Sequence, residues 1–88
     1  MNKIAKVIDM RKAKDGSIIY SKREIAQFRR AALMLAKLGK AGALLYLEED
    51  TLNLMSGHSH DTIGHRIVAR QDRVVEGVYI QGASGGGW

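Results

Sequence analysis

Between Ile25 and Leu38 apolar residues return every three or four positions. At about 100° per residue, Ile25, Phe28, Ala31, Ala32, Leu35, Ala36 and Leu38 fall on one side, and Lys22, Arg23, Arg29, Arg30 and Lys37 on the other. This is the period of an amphipathic helix. Its start is marked by Ser21-Lys22-Arg23-Glu24, a capping box in which Ser21 caps and Glu24 reaches back to the Ser21 amide. The pattern predicts a helix from Lys22 to about Leu38, closed by Gly39 as the left-handed C-terminal residue. Its apolar side, Phe28 included, is expected to face a core; Leu33 and Met34 interrupt the basic side.

Before the helix, the Ile- and Val-bearing stretch Ile4 to Met10, the turn signal Asp15-Gly16 and the short run Ser17 to Tyr20 predict a hairpin. After Gly39-Lys40-Ala41-Gly42 the period changes to two. Leu45 and Leu47 alternate with Tyr46 and Glu48, Glu49-Asp50 turns the chain, and Leu52 and Leu54 alternate with Thr51 and Asn53. A second hairpin fits better than a continued helix over Ala43 to Asp50. A polar loop is expected from Ser56 to Gly64. Arg66 to Arg70 and Arg73 to Ile80, joined by Gln71-Asp72, read as a third hairpin, with Val74, Glu76, Val78 and Ile80 on one face. The sum is an α+β domain, one amphipathic helix packed on an antiparallel β-sheet built from hairpins. It is expected to span 1–81, with 82–88 as a flexible Gly-rich tail.

Composition narrows the class. The chain has 88 residues and no Cys, which excludes a disulfide scaffold and a Cys-ligated zinc finger. The longest apolar stretch, Ala41 to Leu47, is far short of the roughly 20 residues of a membrane span. The first nine residues lack the apolar block of a signal peptide, so a soluble, cytoplasmic chain with no membrane partner is expected.

Charge adds a direction. The net charge is +5, yet residues 1–40 carry +8 and residues 41–88 carry −3. Lys22 and Arg23 occupy the first helical turn, where the macrodipole is already positive, at a cost of roughly 0.3–1 kcal/mol each. With Arg29, Arg30, Lys37 and Lys40 they form a cationic strip of the kind that grips phosphates. The expected function is that of a small non-enzymatic binding protein, a regulator or inhibitor acting by occupancy, which engages nucleic acid or a nucleoprotein complex through this face. Phage and other mobile-element proteins are often of this kind. A solvated basic face and an acidic protein partner are the competing readings of the strip. No helix-turn-helix pair or RNP-like aromatic pair is visible.

The alternatives use other residues. A protein–protein module would employ a sheet edge or the acidic second half, and unpaired edges also allow a homodimer. All three histidines lie in Gly57-His58-Ser59-His60-Asp61-Thr62-Ile63-Gly64-His65. His58, His60, Asp61 and His65 are thus the candidate ligands of a divalent metal, and of a metal-dependent hydrolase, against the plainer reading of a polar loop. No other cofactor is suggested and no nucleophile-elbow context is present. Trp88 is either a frayed end or a tethered aromatic anchor that docks into a groove.

Overall fold

A computed structural model describes residues 12–88. The class is α+β: among the described residues, one α-helix and two antiparallel sheets made of strand hairpins. The predicted strand Ile4 to Met10 lies outside the described residues. The turn that follows it is present. Gly16 has φ 88°, its amide donates to the Ala13 carbonyl at 3.0 Å, and an isolated antiparallel bridge joins Lys12 to Ile18. Asp15 closes the turn by accepting from the Ser17 amide at 2.9 Å and hydroxyl at 2.7 Å. Both bonds hold its carboxyl below the usual carboxylate range, the hydroxyl bond contributing most.

Helix α1 spans Lys22–Lys40. The capping box at its start is formed: the Ser21 hydroxyl accepts from the Glu24 amide at 3.1 Å, and the Ser21 amide donates to the Glu24 carboxylate at 3.0 Å. At the other end the helix runs two residues beyond Leu38, and Gly39 is helical. The left-handed residue is Gly42, φ 106°. Its amide donates to the Gly39 carbonyl at 3.0 Å and the Ala43 amide to the Leu38 carbonyl at 2.9 Å. That pair of bonds is a Schellman closure, which satisfies carbonyls that the helix end leaves open.

The chain divides into two compact units, Met1–Met34 and Leu35–Trp88, with the division inside α1. No residue of α1 is buried; Phe28, expected in the core, is 72% exposed.

The second unit holds the five strands of the described residues. β1 (Leu44–Glu48) and β2 (Thr51–Met55) pair through the two-residue turn Glu49-Asp50, as the alternation predicts. β3 (His60–Ile63) and β4 (Arg66–Ala69) form a second hairpin about Gly64-His65, with Gly64 at φ 63°. β5 (Val74–Tyr79) returns to pair with β2, giving the order β1-β2-β5.

Two expectations are corrected here. The stretch Ser56 to Gly64 is not all loop, and Arg66 to Arg70 pairs backwards with it instead of forwards with Arg73 to Ile80. Gln71–Arg73 is a turn of 3₁₀ helix, not a hairpin tip. Gly64 supplies the positive φ that a tight turn requires, and Gln71-Asp72 has no such residue.

The register also shifts between Leu54 and Met55, so that Val75 is an extra residue and Val74 stands opposite Met55. Val74 therefore leaves the face expected for it beside Glu76 and Val78. On the face shared by Tyr46, Asn53 and Gly77 lie the two buried side chains of the described residues, Met55 and Asn53, each 5% exposed. The Asn53 amide donates to the Tyr46 and Thr51 carbonyls, both at 3.3 Å. Its oxygen stands 2.8 Å from where a Cβ at position 77 would lie, which is why a glycine faces it.

Candidate nucleic-acid interface

The six cations singled out from the sequence all lie on α1, and all are exposed. At the helical period Lys22, Arg23, Arg29 and Arg30 fit within an arc of about 120° over about 12 Å, and Lys37 and Lys40 lie about 60° apart. Lys22 to Arg30 belong to the first compact unit, and Lys37 and Lys40 to the second. Among the described residues no carboxylate stands within ion-pair distance of any of the six; the ion pairs of the described residues join Arg70 to Asp61 and Asp72, and Arg73 to Asp61. Lys37 and Lys40 sit in the last turn, where the macrodipole favours them, whereas Lys22 and Arg23 add charge to its positive end. Leu33 and Met34, 65% and 70% exposed, lie within and beside the cationic arc. Lys22, Arg23, Arg29 and Arg30 of the first unit are a row of fork-shaped and point-like donors able to hold several anionic oxygens at once.

Arg70 and Arg73 of the second unit are placed otherwise. Arg73 grips Asp61 with two bonds of 2.9 Å and donates a third, also 2.9 Å, to the His58 carbonyl. Arg70 bonds Asp61 as well and clasps Asp72 at 3.1 and 2.9 Å. Gly57 lies under the Arg73 side chain, where an added Cβ would meet Arg73 Cδ at 3.0 Å. Arg73, and Arg70 beside it, hold the Asp61 carboxyl below the usual carboxylate range, and Arg70 does the same to Asp72. Sequence reasoning missed this network. Arg70 and Asp72 are two residues apart, but Asp61 joins them only through the β3–β4 hairpin.

The same network explains the fate of the candidate metal ligands. Among the described residues no three His, Asp or Glu side chains come close enough to hold a metal ion. Asp61 is engaged by two guanidiniums. His60 begins β3, with Nδ1 2.9 Å from the Ser59 hydroxyl and Nε2 3.1 Å from the Trp88 carbonyl. His65 sits at the hairpin tip, past the three strand steps from His60 to Ile63, a span of about 10 Å. His58 is exposed in the preceding loop, its carbonyl rather than its ring bound by Arg73.

The glycine run, expected as free coil, lies along β1. Gly86 bridges Glu48 in parallel, the Glu49 amide donates to the Gly86 carbonyl at 2.9 Å, and the Tyr46 hydroxyl donates to the Gly87 carbonyl. The Trp88 ring centre lies 5.0 Å from that of Tyr46 and 6.1 Å from that of His60. Tyr46 and His60 themselves meet edge to face at 5.5 Å.

No helix among the described residues is long and apolar enough to cross a membrane. Comparison with protein-family models, with curated proteins and with solved structures finds no match.

Proposed function

We propose that this chain is a small non-enzymatic binding protein that engages nucleic acid, alone or within a nucleoprotein complex, through the cationic face of α1. It acts by occupancy, as a regulator or inhibitor. The observation that carries the reading is the set of six exposed cations on one helix with no carboxylate partner among the described residues. A polyanion displaces condensed counterions when such a row binds it, so affinity falls steeply with salt.

The test is anisotropy of labelled DNA and RNA oligonucleotides titrated with the chain at several salt concentrations. Arg29→Ala with Arg30→Ala is expected to weaken binding at least about tenfold and to flatten the salt slope by about 2, one for each phosphate no longer neutralised. Normal binding by the double variant, or affinity indifferent to salt, refutes the reading.

A second reading, a protein–protein module, is favoured by β5. It pairs only with β2 among the described strands, and Val75, Val78 and Tyr79 on it are exposed. Capture of a protein partner that survives both nuclease and high salt distinguishes it.

A further inference from the structure

We propose that the outer edge of β1, together with Tyr46 and His60, is a binding site for an extended peptide of the pattern Gly-Gly-x-Trp, which residues Gly85–Trp88 of the same chain fill. The inference is independent of α1 and its cations.

Three observations lead to it. β1 is an edge strand in the order β1-β2-β5, so one row of its backbone groups faces away from β2. The tail meets that edge as an added strand does: a parallel bridge between Glu48 and Gly86, and the Glu49 amide bonded to the Gly86 carbonyl. The site also grades its glycines. A Cβ at position 85 would stand 2.3 Å from the Leu47 carbonyl oxygen, a backbone atom that cannot move aside, and one at 86 would stand 3.0 Å from the Tyr46 hydroxyl. At 87 nothing lies within 4 Å of the added atom. A flexible linker would show no such order, because its glycines are interchangeable. Beyond them the Trp88 ring rests against Tyr46 and His60, and its carbonyl accepts from His60 Nε2 in the tautomer that carries the proton there. Backbone pairing thus supplies the adhesion, the absent Cβ at 85 the selection, and the aromatic ring the anchor. A segment of the same pattern competes for the place, and the tail guards it meanwhile.

Trp88 is the only Trp, so its emission reports the site directly. In the full-length chain, Gly87→Ala is expected to leave emission and acrylamide quenching unchanged. Gly85→Ala should shift both to the values of the isolated peptide Gly-Ala-Ser-Gly-Gly-Gly-Trp, with the far-UV dichroism kept. A full-length chain carrying both Gly85→Ala and Trp88→Phe then presents an open, Trp-free site. That peptide should bind it with a saturable blue shift at concentrations up to about 1 mM, the range a short tether supplies. The peptide with Ala in place of the residue matching Gly85 should give none. Equal behaviour of the two tail variants, loss of the fold in Gly85→Ala, or failure to distinguish the two peptides, including binding of neither, overturns the proposal.

Discussion

The arginines of the helix and the pair Arg70 and Arg73 have the same chemistry and opposite circumstances. Arg29 and Arg30 stand exposed on α1 with no carboxylate near them among the described residues, while Arg70 and Arg73 are consumed by Asp61 and Asp72. Apolar side chains divide the same way. Met55 is buried beside Asn53, whereas Phe28 is open. A residue count by halves of the chain separates neither pair. What matters for a partner is the charge left over after the fold has used its own, and between Asp61 and Arg73 the guanidiniums of Arg70 and Arg73 are already used.

The sharpest break in this comparison is Met55→Ala. It should lower stability by about 2–5 kcal/mol in a denaturant titration, since a buried thioether leaves a cavity. Phe28→Ala, a larger truncation, should shift the same titration by less than about 1 kcal/mol, because the ring is mostly in solvent already. If Phe28→Ala proves the costlier, α1 is covered in solution and the contrast fails.

Between these lies the Asp61 network. The folded-state pKa of Asp61 is depressed below its unfolded value of about 3.9. The unfolded chain therefore binds the proton more readily, and the contribution is full above that value. It is lost as pH falls through the lower, folded value. The thermal midpoint of the wild type should fall accordingly in acid, and Asp61→Asn should flatten that part of the profile. A profile identical in the two proteins would remove the network from the stability of the second unit.

Legibility in the sequence follows how local each cause is. Ser21 and Glu24 are three residues apart and signal the helix start by chemistry confined to one turn, so the capping box is readable. The β1–β2 hairpin is equally local, an alternation on either side of Glu49-Asp50. The helix end is harder to place because two glycines compete, and the choice of Gly42 over Gly39 depends on which closing bonds form. The β3–β4 hairpin escapes the sequence because the polar run His58 to Asp61 does not look like a strand; its pairing is supported by Arg70 and Arg73 from beyond the hairpin. Lys40 lies past the helix end that the sequence marks, and the other five of the six cations of α1 can be placed on one side from periodicity alone. The tail cannot, since the fit of Gly85 against Leu47 joins positions far apart in the chain.

The extra residue in β5 has one more implication. Side chains alternate along a strand, so a single inserted position acts as a parity switch for everything upstream of it. Because Val75 is bulged out, Val74 meets Met55; in a regular ladder Val75 would take that place, Val74 would exchange faces and Arg73, the next residue back, would be turned with it. The bulge therefore governs whether the guanidinium reaches Asp61, and deletion of Val75 would straighten the strand while leaving Val74 opposite Met55 and Arg73 on its present face.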